Sequence, residues 1–227
     1  MKMDVVAVSV GGSFVCPHGP SARAVKRVAR ELVAARGVRL VISVGGGRTA
    51  RDYIKQAREF THNRDELDKV GIQVTRANAR LMALALPGAV VVDTEEQLKL
   101  ALKGKSRFVF MNNHAWRQTS DATAVEAGIV ARARRFVNIS DVAGVYTVNP
   151  KKHRDAKKLP VLSHKQLLGL ARREYKQVSG SNFLIDLKAA GLLAKHGIEA
   201  HFVSGASLSD VRNALLGKKH SGSVVRS

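Results

Sequence analysis

Continuous apolar segments alternate with helix-forming segments along this chain, and this alternation limits the possible folds more than any other feature. Residues 4–10 (DVVAVSV) and 38–44 (VRLVISV) are apolar over almost their whole length. A helical pattern over 21–37 lies between them, with Ser21 as its N-cap and Gly37 as its stop. Strands that are apolar on both faces occur in parallel sheets covered by helices on each side. The sequence therefore predicts an α/β fold of this kind.

The alternation continues to the end of the chain. Thr94 and Ser163 have the residue types that begin helices, because their hydroxyl groups accept hydrogen bonds from free backbone N–H groups. We predict further strands at 89–93, 107–111, 135–140, 199–204 and near 223–225, and further helices at 48–60, about 66–85, 95–104, 120–133, 162–173, 183–196 and 207–217. A chain of 227 residues arranged in this way forms one large domain or two tightly joined lobes.

The composition argues against several classes of protein. The longest apolar run, over 81–92, is interrupted by Pro87 and Gly88 and is too short for a membrane span. Asp4 interrupts the segment in which a signal peptide would need its apolar region. Cys16 is the only cysteine, so it can form no internal disulfide and complete no zinc cluster, and the histidines lack paired metal-ligand spacing. We expect a soluble, cytoplasmic protein with no membrane partner and no metal ligands of its own.

The chain is strongly basic, with a formal net charge of +20. The densest basic segments are 131–135 (ARARR) and 149–158 (NPKKHRDAKK). A charge of this sign attracts phosphate groups, whether on nucleotides or on RNA. A solvated basic face without any ligand explains the same pattern equally well.

Glycine clusters follow two of the apolar strands, and we name them by their position. The first glycine corner is Gly11–Ser13, and the second glycine corner is Gly45–Gly47. Ligands of parallel α/β sheets bind at the carboxyl ends of the strands, and N–H groups at a helix start can hold a phosphate. Arg51 lies one helical turn beyond the second corner and could add a charge-assisted contact. Both corners therefore favour a phosphate site, although turns without a ligand remain an alternative.

Two common nucleotide motifs fit the second corner poorly. GGGRTA matches the dinucleotide pattern G-x-G-x-x-A, but that motif needs an acidic residue at the end of the next strand. Here Asp65, Glu66 and Asp68 precede a helix instead. No segment matches the P-loop pattern G-x-x-x-x-G-K-[ST].

A longer series of motifs is more specific. VGGGRTARDYI (44–54), GIQVTRANA (71–79), TSDATAV (119–125), GVYTVNPKKHRDAKKL (144–159) and GSVV (222–225) occur in this order. Together they resemble the archaeal type of UMP kinase in the amino-acid-kinase superfamily, over nearly the whole chain. The resemblance implies a three-layer α/β/α sandwich, usually assembled as a hexamer. It also implies transfer of the γ-phosphoryl group from ATP, with Mg²⁺, to UMP.

The resemblance further implies lobes and site residues. The acceptor-nucleotide lobe would cover about 1–133 and the ATP lobe about 134–227 of a single domain. Asp121 would organise the catalytic centre. The implied ATP-binding residues are Gly11, Gly12, Ser13, Gly47, Arg51, Ser140, Asp141, Tyr146 and Asn149, and the implied UMP-binding residues are Gly46, Asp68, Gly71, Thr119 and Ser120.

Several positions depart from the family pattern. Residues 111–121 (MNNHAWRQTSD) stand in place of M-G-G-T-x-P-G-x-T-T-D, so side chains at Asn112–Arg117 would partly fill the acceptor pocket. Lys188 could replace the lysine that is missing at Gly191, one helical turn away. The other changed positions are Ser9, Ala143, Asn149 and Leu187.

These features support two hypotheses. The first is a UMP kinase or a nucleoside-monophosphate kinase with an altered acceptor. The second is a kinase fold without turnover that binds RNA or a ribonucleoprotein through its basic surface. The overall motif order favours the first hypothesis. The rewritten segment 112–117, the net charge of +20 and the changes at Ala143 and Gly191 favour the second.

Overall fold

The computed structural model describes residues 3–112, 118–177 and 185–227, and an eight-stranded sheet forms the centre of this part of the chain. Every neighbouring pair in the sheet is parallel except β9 with β10. In sheet order the strands are β3 (Val90–Val92), β4 (Phe108–Met111), β2 (Val38–Val44), β1 (Asp4–Val10), β5 (Arg135–Ser140), β9 (Glu199–Ser204), β10 (Ser223–Val225) and β8 (Val161–Leu162). The predicted, mainly parallel sheet is confirmed.

Helices cover both faces of this sheet. Along β1, Val6, Val8 and Val10 point into a core shared with α2, α4 and α9, whereas Ala7 belongs to a second core shared with α6, α7 and α8. The helices are α1 (Gly12–Val15), α2 (Ala22–Ala34), α3 (Gly47–Ala57), α4 (Arg64–Ala83), α5 (Glu95–Lys103), α6 (Ser120–Val130), α7 (His164–Gln177), α8 (Leu187–His196) and α9 (Leu208–Leu215). This arrangement is the predicted α/β/α sandwich.

The predicted N-caps are confirmed at three helices. The Ser21 hydroxyl accepts from the N–H of Ala24, and the Thr94 hydroxyl accepts from the N–H of Gln97. Ser163 and Gln166 bond reciprocally, each side chain accepting from the other residue's N–H. Such side-chain bonds satisfy donors that have no partner within the helix.

Several predicted helix ends are wrong by about a turn. α3 ends at Ala57 rather than at 60, and α6 ends at Val130 rather than at 133. The predicted start of α8 at 183 lies outside the described residues, and the helix begins at Leu187 behind its N-cap Asp186. The predicted turn at Gly11–Ser13 is also different, because Gly12 already begins α1. The antiparallel pair β6 (Val145–Tyr146) and β7 (Lys158–Leu159), and the short β8, were not predicted.

A single arginine explains why α2 ends before its predicted glycine stop. The Arg107 guanidinium donates to the carbonyl groups of Leu32, Val33 and Ala35 at the end of α2, and its Nε donates to the Val38 carbonyl. These carbonyls are the ones that a helix end leaves without partners. The cation, which immediately precedes β4, therefore stabilises the end of α2 from a position 72 residues away in sequence.

A chain of hydrogen bonds ties the C-terminal segment to β9. The Gly222 N–H donates to His220 Nδ1 (3.1 Å), His220 Nε2 lies 2.8 Å from His201 Nδ1, and His201 Nε2 lies 2.7 Å from Glu199 Oε1. Because His220 Nδ1 accepts, His220 Nε2 carries the proton and donates to His201, which in turn donates to Glu199. The chain of bonds therefore requires both imidazoles to be neutral.

Stability should fall on acidification through this pair of histidines. Burial lowers the pKa of His201 and of His220 below the ordinary value of 6.5, so the unfolded chain binds more protons below that pH. The expected slope approaches about 1.4 kcal/mol per pH unit for each proton taken up on unfolding. Between pH 7.5 and pH 5.5, the free energy of unfolding measured in urea should fall more for wild type than for His201→Gln. His196→Gln, at an exposed position, is the control, and equal losses in wild type and His201→Gln would contradict this prediction.

No helix in the described ranges is both long and apolar enough to cross a membrane.

Candidate active site

The ends of neighbouring parallel strands bring the predicted site residues to one edge of the sheet. The Gly11 N–H donates to the Ile139 carbonyl (2.8 Å), which joins the end of β1 to the end of β5. The Gly45 N–H donates to the Val10 carbonyl (2.9 Å), which joins the end of β2 to the end of β1. The two glycine corners therefore start side by side at the carboxyl edge, where ligands bind in this class of fold.

The two corners are in direct backbone contact. A Cβ atom on Gly12 would lie 2.1 Å from the Gly47 nitrogen and 2.4 Å from the Gly45 oxygen. A Cβ atom on Gly47 would lie 2.5 Å from the Gly12 carbonyl carbon, and Gly47 also has a left-handed φ of 63°. No side chain fits in this junction, so glycine is required at both positions for steric reasons.

The second corner leaves backbone donors available at the start of α3. Within the described residues, the N–H groups of Gly46 and Gly47 donate to no acceptor. The Arg48 guanidinium pairs with Asp52 (3.6 Å), whereas Arg51 is exposed and has no ion-pair partner in the described part of the chain. Free N–H groups at a helix start and an unpaired guanidinium are the donors that a phosphate needs.

Asp121 lies in the first turn of α6, close to these corners. Its Oδ1 accepts from Asn138 Nδ2 (2.8 Å) on β5. Burial raises the pKa of Asp121 to about 6, with a further rise from the neighbouring Asp186; hydrogen bonds from Ser9 and Asn138 oppose the rise. A raised carboxyl pKa of this kind is common at functional sites.

A row of buried polar side chains crosses the sheet beneath Asp121, and sequence analysis did not identify it. Ser9 on β1 is in register with Ser43 on β2 and with Asn138 on β5. All three are buried, and Ser9 Oγ lies 3.5 Å from Ser120 Oγ. Three polar residues in register within otherwise apolar strands were a usable signal, because parallel strands place them on one face.

The starts of α6 and α8 are joined beside Asp121. The Thr119 hydroxyl caps α6 by accepting from the Ala122 N–H (3.1 Å), and it donates to the Asp186 carboxylate. Asp186 in turn caps α8 by accepting from the Ala189 N–H (2.9 Å). Thr119, a predicted UMP-binding residue, thus links the predicted acceptor lobe to the predicted ATP lobe.

The predicted adenosine-side residues lie on β5 and in the segment that follows it. Asp141 forms an ion pair with Lys151, and Asn149 Oδ1 accepts from the Lys151 N–H (2.9 Å). The Ser140 hydroxyl bonds within its own turn, and Tyr146 is half-buried on β6. Asp141 and Asn149 are therefore held in one folded turn next to the edge of the sheet.

The remaining predicted UMP residues lie on α4, which packs against α3. A Cβ atom on Gly71 would lie 3.1 Å from Ile54 Cδ1, so the glycine permits close packing of these helices. Asp68 is half-buried, and its carboxylate has no partner among the described residues. The structure therefore gives Gly71 a packing role, while a contact of Asp68 with UMP stays a prediction.

Comparison with known proteins agrees with this geometry. The model of the amino acid kinase family matches residues 4–204. The chain belongs to the amino acid kinase family. Uridylate kinase from Methanocorpusculum labreanum is 34% identical over 98% of this chain and 96% of its own length, and that from Thermococcus kodakarensis is 32% identical over 97% and 98%. The crystal structure of uridylate kinase from Archaeoglobus fulgidus is similar with a TM-score of 0.85 and 31% identity, covering 98% of this chain and 100% of that one. The resemblance predicted from the motifs is confirmed.

Asn112, the first residue that departs from the family pattern, has a defined contact at the edge of the sheet. Asn112 is buried, and its Nδ2 donates to Asp93 Oδ1 (2.9 Å) at the end of β3. Arg76 of the GIQVTRANA motif pairs with the same oxygen (3.0 Å). Asn112 is thus used to join strand ends, and the predicted filling of the acceptor pocket by residues 113–117 lies outside the described residues.

Two changes on α8 have simple physical descriptions. Lys188 pairs with Glu126 (2.6 Å), so its ammonium group is already engaged and the predicted replacement of the missing lysine gains no support. A Cβ atom on Gly191 would have no heavy atom within 4 Å, so the missing side chain leaves open space. Leu187 is the first residue of α8, where the family's proline is favoured but not required.

The carboxylates near the corners are groups of the kind that bind a magnesium ion. In the described part of the chain, no three histidine, cysteine, aspartate or glutamate side chains form a metal-binding cluster. Magnesium bound to phosphates needs only one or two protein carboxylates, which Asp121 and Asp186 can supply.

Proposed function

We propose that this protein is a UMP kinase, which transfers the γ-phosphoryl group of ATP to UMP and forms UDP. The observation that carries the proposal is the junction of two glycine corners beside Asp121, in a chain that is similar over its full length to uridylate kinases. The junction offers backbone donors where phosphates would meet. The names of the uridylate kinase relatives support UMP as the acceptor, and the motif resemblance implies ATP as the donor.

The residues divide between the two nucleotides as the resemblance implies. Gly11–Ser13, Gly47 and Arg51 bind the ATP phosphates, and Ser140, Asp141, Tyr146 and Asn149 line the adenosine pocket. Gly46, Asp68, Gly71, Thr119 and Ser120 contact UMP. In-line transfer requires the phosphate of UMP and the γ-phosphate of ATP to lie next to each other. The assignment of the adjacent residues Gly46 and Gly47 to the two nucleotides agrees with this requirement.

The reaction requires correct positioning of the phosphates more than it requires proton transfer. A phosphate monoester such as UMP is largely ionised near neutral pH, so its attacking oxygen needs no general base. The transition state spreads charge over the transferred group, and fixed N–H donors and an arginine stabilise that charge. Magnesium bound to ATP would neutralise part of the phosphate charge, and Asp121 and Asp186 would help to hold it.

Asp121 acts in this scheme as an orienting carboxylate. It is held by Asn138 and lies at the start of α6 beside Ser120 and Thr119. Its raised pKa means that a cation entering the site favours the charged form. Magnesium bound to the nucleotide would supply that cation.

Turnover with defined nucleotides tests the proposal. Purified protein with ATP, Mg²⁺ and UMP should form UDP, measured by anion-exchange chromatography, and should form none without Mg²⁺. A panel of CMP, AMP and GMP as acceptors measures the effect of the changed segment 112–117. If the protein phosphorylates none of the four acceptors, the proposed function is wrong.

RNA binding remains the alternative hypothesis and rests on the net charge of +20 and on the changed segment 112–117. The basic segment 149–158 is exposed over most of its length, and Lys151 is paired with Asp141.

The proposal also includes a homo-oligomer of single-domain subunits, each with lobes at about 1–133 and 134–227.

A further inference from the structure

One buried side chain connects the two glycine corners. Asn78 on α4 is 3% exposed, and its Nδ2 donates to the carbonyl groups of Gly45 (3.0 Å) and Gly46 (3.3 Å) in the second corner. Its Oδ1 accepts from the Cys16 thiol (3.0 Å). Cys16 follows α1, and its N–H donates to the carbonyl group of Gly12 in the first corner (2.8 Å). A single carboxamide thus contacts the second corner directly and is linked to the first corner through Cys16.

The chemistry of these contacts fixes the orientation of the carboxamide. Both protons of the Asn78 NH₂ group face carbonyl oxygens, and the opposite orientation would place the Asn78 oxygen against those oxygens. Aspartate could not donate to the carbonyls, and glutamine would be one methylene too long for a well-packed core. The site therefore selects asparagine specifically.

Because Asn78 fixes the direction of two carbonyl groups, it also fixes the direction of the two N–H groups in the same peptide planes. In a trans peptide the N–H points away from the C=O of the same plane. The Gly45 carbonyl shares its plane with the Gly46 N–H, and the Gly46 carbonyl shares its plane with the Gly47 N–H. Both N–H groups therefore point away from Asn78, and in the described residues neither has an acceptor.

We propose that Asn78 is a positioning residue for phosphoryl transfer, which aims the Gly46 and Gly47 N–H groups at the phosphates and couples the second corner to the first through Cys16. The inference rests on the proposed function, because it assigns these N–H groups to nucleotide phosphates. It goes beyond that function by placing the control of their direction in a residue that no ligand touches.

The test separates phosphate binding from general damage to the fold. Asn78→Ala removes all three bonds, and Asn78→Asp keeps the acceptor for Cys16 but removes both donors. Gln73→Ala, on the exposed face of the same helix, is the matched control. For each variant, kcat and KM for ATP and UMP are measured, together with calorimetric affinities for ATP and for adenosine. Thermal unfolding verifies that each protein is folded.

Both Asn78 variants should lower kcat about 10- to 100-fold and weaken ATP binding, while adenosine binding stays unchanged, because adenosine lacks the phosphates. Equal weakening of ATP and adenosine, or no weakening of either, would overturn the proposal. If wild type forms no UDP, the proposed function fails, but the comparison of ATP with adenosine still decides the role of Asn78. If neither variant folds, ¹H–¹⁵N spectra of wild type titrated with pyrophosphate decide instead. Shifts of the Gly46 and Gly47 amide signals support the proposal, and unchanged signals reject it.

Discussion

Asp121→Asn should abolish UDP formation and at the same time make the free protein more stable at neutral pH. Asparagine keeps an oxygen that can accept from Asn138, so the local structure is retained. It cannot carry the charge that orients magnesium and phosphates, and we expect kcat to fall by at least about 10²-fold. Opposite effects on activity and stability are typical of a residue whose charge is needed for function but destabilises the fold.

The stability effect follows from the pKa of Asp121 and has a definite sign. Burial raises this pKa from 3.8 to about 6, so between these values the native state holds a proton that the unfolded chain has lost. The contribution of Asp121 to stability is therefore greatest below about pH 4 and is lost as the pH rises to about 6. Above that pH the charged carboxylate costs the fold about 1–3 kcal/mol, and the asparagine variant does not pay this cost.

Urea unfolding of both proteins from pH 4 to pH 7.5, with parallel assays of UDP formation, measures the two effects. Asp155→Asn, at an exposed position in the basic segment, is the control for loss of one negative charge. An Asp121→Asn protein that retains turnover would remove Asp121 from the catalytic centre. The same pH dependence of stability in both proteins would contradict the raised pKa.

Most of the fold could be predicted from the sequence because its strands and helix starts are indicated by local patterns. Apolar runs at 4–10 and 38–44 marked buried parallel strands, and Ser21, Thr94 and Ser163 marked helix starts through bonds within three residues. Helix ends were less well predicted, since they depend on partners far away in sequence. Arg107, for example, donates to the last carbonyl groups of α2 from the residue just before β4.

The site was predicted unevenly for the same reason. Glycine at strand ends indicated a close approach, but only the structure shows that each corner is the neighbour of the other. Asn78 stood inside the most specific motif, yet its contact with Gly45 spans 33 positions and nothing in the local pattern suggests it. Ser9 was noted only as a departure from the family, although its register with Ser43 and Asn138 builds the polar row under Asp121.

Gly12→Ala should damage both stability and catalysis, although Gly12 has no unusual backbone angle. Its new Cβ would lie 2.1 Å from the Gly47 nitrogen, 2.4 Å from the Gly45 oxygen and 2.6 Å from the Gly46 carbonyl carbon. These atoms are backbone and cannot rotate away, so the corners must separate. We expect a loss of about 3 kcal/mol in the free energy of unfolding, near the upper end for overpacking.

Gly191→Ala provides the matched control for this substitution. A Cβ atom at Gly191 meets no heavy atom within 4 Å, and the residue lies inside α8, so alanine should stabilise the fold by about 0.5–1 kcal/mol. Chemical unfolding and UDP formation are measured for both variants. A Gly12→Ala protein with wild-type stability and turnover would show that the corners can separate without consequence. If instead the protein folds but transfers phosphate more than 100-fold more slowly, then contact between the two corners is itself a requirement of the reaction.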